Sequence, residues 1–342
     1  MKLTNELFID LGDGRWDLCV KSIKGYSHMH LAYTLDYYLK HEGVRNLSFE
    51  VLEGGECLAI VPLALSKNTL SFGDLPCPSP LVKNNLKESK RRKIFNYIFE
   101  IIDDFMRKNN AKKYISYKHP FQSFYSDAGL SGLNLFELQR YFHDVSVNDA
   151  LIMDLAENVD SIELGFSKYH RRNIKKSEKL GVQCKAISDD DSLNDIDYYF
   201  NEFRAAHFLS SGRETRSNDT WIHMKERIVN GLGNLFVAKV ERTNISYLYC
   251  GNVDGMAWGW SQVNVKEFER MYMPRHLLEW EAMKYYKRKG EKVYDLGDRL
   301  NSTDSIVYSP KELSISDFKE KYGTPVYPKI FYKRFLKDDE GV

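Results

Sequence analysis

The sequence has few cysteines and no paired ones. Cys19, Cys57, Cys77, Cys184 and Cys250 are odd in number, lie far apart and form no CxxC spacing. That argues against a disulfide framework or a zinc knuckle and fits a reducing compartment. No stretch approaches the roughly 20 apolar residues of a membrane span. The acidic start MKLTNELFIDLGDGRW also lacks the apolar run of a signal peptide, so the expected location is cytoplasmic. An excess of charge is missing too: 49 Lys and Arg stand against 48 Asp and Glu, so any polyanion-binding surface has to be local. GxxxxGK(S/T), HExxH, GxSxG and a complete GxGxxG are all absent, which removes the common phosphate-loop, zinc-hydrolase, serine-hydrolase and dinucleotide signatures. Gly231 and Gly233 supply half of a glycine loop, but they precede a strand and read as a turn. His28 and His30 have no third ligand in view, and no metal site is expected.

What is present is an ordinary globular composition of 342 residues, 43% hydrophobic and 28% charged. At roughly 150 residues per domain this suggests about two domains. Ile94, Ile98, Ile101, Ile102 and Phe105 recur at helical spacing and predict an amphipathic helix over 88–109. Strand-like runs at 45–52 and 56–63 flank Glu53, Gly54 and Gly55, a hairpin signal, with further strands expected at 69–72 and 113–117. The second half repeats this order. Runs at 235–240, 245–251 and 256–263 predict a meander turning at Thr243-Asn244 and Asp254-Gly255. A helix over 275–288 follows, stops at Gly290 and leads into a strand at 292–296. Between the halves a strand is expected at 151–155 and helices at 166–180 and 191–208. The recurring order predicts an α+β fold of two tandem domains, 1–148 and 149–342, each a mixed, mostly antiparallel sheet flanked by helices.

The densest chemical signal lies at 168–179, where six Lys or Arg fall within twelve positions. On a helix, Lys168, Arg172, Lys175 and Lys179 share one face, with Arg171 and Lys176 beside it. Such a face is either merely solvated or a cradle for a phosphorylated ligand, for which guanidinium forks and ammonium charges are suited. The stretch Lys168–Val182 resembles the K-x-x-R-x-x-I-R-K-A-x-K-x-G-V pattern of the FemABX peptidyltransferases and their BioF2-like relatives in the GNAT acyltransferase superfamily, with Lys175 for Arg and Ser177 for Ala. A second block, His276–Gly297, is similar to that family's helix and Y-D-(F/L)-G strand. A third, Ile315–Gly323, is similar to its F-K-x-x-F-G signature, with Tyr322 for Phe. The first half matches in general shape, through Ala59-Ile60-Val61-Pro62-Leu63 and the loop 73–82.

The resemblance implies two GNAT-like domains in tandem, the second carrying the family motifs. It also implies transfer of an acyl or aminoacyl group to an amine of a cell-envelope precursor such as peptidoglycan or a surface polysaccharide. That chemistry needs a neutral amine held against a carbonyl, and a cation placed for the charge that develops on the oxygen. By resemblance Lys319 is that cation, Phe318 a channel wall, and Arg213 a contact to the acceptor's phosphates. Asp295, beside Asp298 at a predicted strand end, is the candidate proton acceptor, or else a cap on backbone amides. Lys168, Arg171, Arg172, Lys175 and Lys176 are the expected phosphate contacts, and Trp260, in phase with Trp258 on one strand, core or groove wall.

Neither 264–276 nor 74–87 holds a glycine, whereas acyl-CoA pyrophosphate is normally cradled by a glycine-bearing loop at this point. No tightly bound cofactor is therefore expected. An aminoacyl-tRNA donor fits better than acyl-CoA, with a nucleotide- or lipid-linked phosphorylated acceptor and room for peripheral membrane contact. An acyl-CoA-dependent amino-sugar N-acetyltransferase and a non-catalytic binding protein of the same fold are the alternatives.

Overall fold

The computed structural model describes residues 2–8, 11–12, 14–41, 43–73, 75–121, 138–301 and 307–336. They form two compact units, Met1–Asn148 with Pro328–Val342, and Asp149–Tyr327. Among the described residues no helix is long and apolar enough to cross a membrane.

In the first unit, β1 (Leu3–Leu7), α1 (Arg15–Lys21) and α2 (Ala32–Leu39) precede β2 (Val44–Asn46), β3 (Phe49–Glu53) and β4 (Glu56–Val61). The short strands β5 (Ala64–Ser66), β6 (Thr69–Leu70), β7 (Cys77–Pro78) and β8 (Leu81–Val82) lead to α3 (Glu88–Lys108) and β9 (Lys113–Lys118). The helix buries Ile94, Ile98 and Ile102, as its periodicity predicts. The expected strand at 45–52 is two strands. β2 pairs with β5, while β3 pairs with β1 and β4 in a separate antiparallel sheet ordered β1-β3-β4-β8. At the break the Ser48 hydroxyl donates to the carbonyl of Leu63 and accepts the N–H of the same residue, and the Ser48 N–H goes to Asn46 Oδ1.

The chain enters the second unit within β10 (Asp144–Asp154) and continues through α4 (Val159–Gly165), α5 (Lys168–Lys179), β11 (Gln183–Ile187), α6 (Leu193–Ser211) and α7 (Asn218–Val229). The meander β12 (Gly233–Val240), β13 (Thr243–Val253) and β14 (Met256–Asn264) follows, then α8 (Lys266–Tyr272), α9 (Pro274–Lys289), β15 (Val293–Arg299) and α10 (Pro310–Glu320). Strands run in the order β11-β12-β13-β14-β15-β10, antiparallel except for β14 with β15. Leu151, Phe236, Leu248, Leu278, Met283 and Tyr294 fill the core between this sheet and its helices. The final strand, β16 (Val326–Phe335), carries the chain back to the first unit, where Ile330–Phe335 pair antiparallel with Lys113–Lys118 of β9. The sequence-based boundary had assigned residues 328–342 to the second domain. Ile330 and Tyr332 alternate as buried positions, and their side chains complete the core beside β9.

Candidate active site

The chemistry of the second unit gathers where β14 and β15, its one parallel pair among the described residues, part. β14 and β15 pair over Met256↔Val293, Ala257↔Tyr294 and Trp258↔Asp295. Beyond that point β14 runs on to Asn264 and β15 continues against β10. A register shift opposite Leu151 and Ile152 makes Leu296 an extra residue, so Asp295, Leu296 and Gly297 form a bulge. The Asp295 carboxylate accepts the Gly297 N–H at 2.6 Å, and Gly297 takes a φ of +104° that suits glycine.

Lys319 reaches this bulge from α10. A Cβ on Gly297 would stand 2.6 Å from its Nζ, so the missing side chain is what makes room for the ammonium group. Two contacts hold α10 against β15: Ser316 Oγ accepts the Leu300 N–H at 2.7 Å, and Arg299 pairs with Glu320 at 2.9 Å. Burial pushes the Lys319 ammonium below the usual lysine range, while Glu279, Asp295 and Asp298 pull the other way. Glu279 projects from the buried side of α9. It is 6% exposed and accepts a hydrogen bond from the Tyr294 hydroxyl at 2.7 Å. Gly259 of β14 leaves room for this pair: a Cβ there would meet Tyr294 Oη at 3.1 Å and Glu279 Oε1 at 3.4 Å. Burial raises the Glu279 carboxyl above the usual carboxylate range, against the pull of Tyr294, Lys319 and Arg275.

Beside Lys319, Phe318 carries the Arg275 guanidinium 3.6 Å over its ring. Arg275 also donates from Nε to Gln262 Oε1 at 2.8 Å. Behind Phe318 stand His170 and His276, at centroid distances of 4.8 and 5.0 Å. Burial holds His170 down to about 3 and His276 to about 4, so both rings are neutral near pH 7. A cavity of about 410 Å³ opens at the head of α9, lined among others by Tyr169, Arg270, Met273, Arg275 and Phe318. Pro274 occupies the first turn of that helix, removing one amide donor from a place where anions bind.

Of the residues singled out by sequence, the structure brings Lys319, Asp295 and Phe318 together. The basic helix α5 is formed as expected, but it turns His170, Asn173, Ile174 and Ser177 inward. Asn173 meets His276 at 3.2 Å, and the Ser177 hydroxyl lies 2.6 Å from the Tyr272 carbonyl. Lys168, Arg172, Lys175 and Lys176 are exposed, on the side away from Lys319. Arg171 is half-buried and donates to the Leu164 carbonyl at 3.1 Å. Arg213 is exposed in the loop after α6. Trp258 and Trp260 alternate with Gly259 and face away from Glu279, with the Arg227 guanidinium 5.4 and 5.3 Å over their rings.

Neither a protein-family profile nor a curated protein sequence matches the chain. Solved structures do. It superposes on the crystal structure of FemX with a TM-score of 0.67 at 14% identity, covering 98% of each chain. It superposes on L-PGS from Bacillus licheniformis with a TM-score of 0.61 at 12% identity, over 97% of this chain and 95% of that one. A tandem GNAT protein from the clavulanic acid biosynthesis pathway gives 0.57 at 12% identity, over 98% and 99%. The chain has a tandem GNAT-like fold. At these identities the likeness concerns the architecture alone.

Two groups in this GNAT-like unit escaped sequence reasoning, Arg275 and Glu279. The signal was available: they stand one helical turn apart, on a helix whose neighbouring positions Leu277, Leu278, Trp280 and Ala282 are apolar. An acid among such residues is buried at a cost that calls for a partner.

Proposed function

We propose that the chain is an N-acyltransferase, moving an aminoacyl or acyl group onto an amine of a cell-envelope or surface-polysaccharide precursor that carries phosphate. The observation that supports this most directly is Lys319 Nζ seated over Gly297, its charged form favoured by Glu279, Asp295 and Asp298. A neutral amine attacking the donor's carbonyl forms the N–C bond and puts negative charge on the carbonyl oxygen, which the ammonium group of Lys319 stabilises without giving up its proton. Glu279, with its raised affinity for protons, takes the one the amine sheds. Collapse breaks the donor's C–O or C–S bond, and the leaving oxygen or sulfur takes the proton that Glu279 received as it departs. Asp295 shapes the bulge by accepting the Gly297 N–H and adds negative charge that favours the charged form of Lys319.

For the donor, aminoacyl-tRNA fits better than acyl-CoA. The stretch between β14 and α9 is itself helical, contains no glycine and ends in Pro274, so it offers no amide cradle for pyrophosphate. The exposed basic face of α5 suits a phosphate backbone. Arg213 and Phe318 stay as acceptor contacts in this reading, while Trp260, turned away from Glu279, is a wall beneath Arg227. A lipid-linked precursor would bring peripheral membrane contact to a cytoplasmic reaction. The test is product mass after incubation with aminoacyl-tRNA and a nucleotide-linked peptide precursor, beside a second arm with acetyl-CoA and an amino sugar. Product in the first arm that falls at least about 100-fold in Lys319→Met is expected. Product only from acetyl-CoA would overturn the donor, and unchanged turnover in Lys319→Met would overturn the site.

A further inference from the structure

The first unit holds a group that the acyl-transfer reading does not use. Cys19 of α1 meets Glu50 of β3 and Cys57 of β4, neighbours in one hairpin, with their sulfur and carboxylate atoms all within 4.8 Å of one another. Cys19 Sγ lies 3.6 Å from Glu50 Oε2. Glu50 is 1% exposed. Its Oε1 is taken by the Arg15 guanidinium, which also reaches Glu6 at 3.0 Å, so Oε2 is the oxygen turned toward the sulfurs. A bulge shapes the third position: the ladder slips between Val51 and Leu52, setting Cys57 opposite Leu52 on the face that Glu50 shares.

We infer that Cys19, Glu50 and Cys57 form a site for a thiophilic divalent cation, Zn²⁺ by its chemistry, tying α1 to the β3–β4 hairpin. Three arguments converge on it. The first is distance. Tetrahedral zinc with sulfur ligands near 2.3 Å and an oxygen near 2.0 Å needs ligand atoms about 3.5 Å apart, close to the 3.6 Å between Cys19 and Glu50. The second is charge. Two thiolates and one carboxylate carry three negative charges, of which a divalent ion offsets two, and Arg15, shared with Glu6, offsets part of the rest. The third is orientation. A ligating carboxylate whose other oxygen is held by a guanidinium is the usual outer-sphere arrangement around a metal. Free cysteines are thiols at neutral pH, and zinc binds them as thiolates. Binding therefore displaces two protons, and the fourth position falls to water. A Cys19–Cys57 disulfide is the competing outcome.

Titrating the full chain with Co²⁺ tests this without reference to transfer activity. The expected result is one equivalent bound, with thiolate-to-metal bands in the near ultraviolet, visible bands of tetrahedral cobalt, and tighter binding as pH rises. The bands disappear in Cys57→Ser and persist in Cys184→Ser. A second measurement needs no variant: Zn²⁺ slows alkylation of Cys19 and Cys57 by iodoacetamide, located by peptide mass spectrometry, and leaves Cys184 unaffected. Absent bands, bands that survive in Cys57→Ser, equal alkylation with and without Zn²⁺, or a Cys19–Cys57 disulfide forming in preference to metal binding would each overturn the inference.

Discussion

Both units contain a parallel strand junction, and the two are filled in opposite ways. In the first, β9 pairs in parallel with β6 and β7, matching Leu70 with Tyr114 and Pro78 with Tyr117. Leu70, Cys77, Tyr114 and Tyr117 are at most 2% exposed there, and burial pushes even the Cys77 thiol up to about 12. In the second, the junction between β14 and β15 meets Gly259 and Gly297, whose missing side chains admit Glu279 and Lys319. The same backbone arrangement thus gives a packed core in one unit and opposed buried charges in the other. Large side chains exclude water and titrating groups, while glycines leave space that a lysine and a glutamate enter at a desolvation cost. Tight packing is expected where only stability is at stake, and costly charges where chemistry is.

The largest expected effect comes from emptying the charged junction. Lys319→Met should lower kcat/KM by about 100- to 1,000-fold while Tm holds or rises, because a buried ammonium group is replaced by an apolar chain. A fall in Tm with rate intact would make the second junction a core like the first. Gly297→Ala should cost both rate and roughly 1–3 kcal/mol of stability in urea unfolding, since its Cβ would sit 2.6 Å from Lys319 Nζ on a backbone with φ +104°.

Next comes the pH profile. Glu279 must be ionised and Lys319 protonated. Glu279 is shifted up and Lys319 down, so the bell of kcat/KM against pH should be narrower than an ordinary carboxylate and lysine would give. Glu279→Gln should remove the acid limb along with most of the rate, and an acid limb that survives in this variant would assign the base elsewhere.

A smaller effect concerns the histidine pair behind Phe318. Unfolded, each titrates near 6.5; folded, His170 falls to about 3 and His276 to about 4. Depressed folded values mean that the unfolded chain binds more protons below pH 6.5. Stability is then complete above that pH and falls as pH drops toward 4, by up to about 1.4 kcal/mol per pH unit for each ring. His170→Phe should make the slope of urea-unfolding stability against pH shallower over this range, and an unaltered slope would show that the ring does not report folding.

The smallest effect is expected in the first unit. Tyr332 is fully buried beside Phe142, its ring centroid 4.7 Å away, and its hydroxyl has no hydrogen-bond partner among the described residues. Tyr332→Phe should leave transfer unchanged and shift stability by no more than about 0.5 kcal/mol, toward gain. A larger loss would mean that polar order matters in this core as it does in the other unit.

Much of this was legible in the sequence because local rules wrote it there. The stripe of Ile94, Ile98 and Ile102 announced α3, the turn residues Asp254 and Gly255 separated β13 from β14, and the three resemblance blocks pointed to a tandem GNAT-like fold. Lys319, Asp295 and Phe318 were named from motif positions alone. What the sequence did not show depends on residues distant in the chain. Glu279 stands among apolar neighbours on its helix, but the sequence does not show that Lys319 and Tyr294 come to it. Arg172 and Lys175 look like neighbours of Lys319 until Asn173 and Ser177 are seen to claim the inner face of α5. Cys19 and Cys57 look unrelated until α1 is laid across the β3–β4 hairpin.

The sequence by itself determined which residues could form helices, strands and turns, since periodicity and propensity act over a few residues at a time. It also determined the chemical inventory, from the basic run at 168–179 to the motif lysine at 319. Only the tertiary structure decided which of these groups lose water together. Desolvation and Coulomb energy depend on distance in space, and they turned Lys319, Glu279 and Asp295 into one coupled site while leaving the basic face of α5 in solvent.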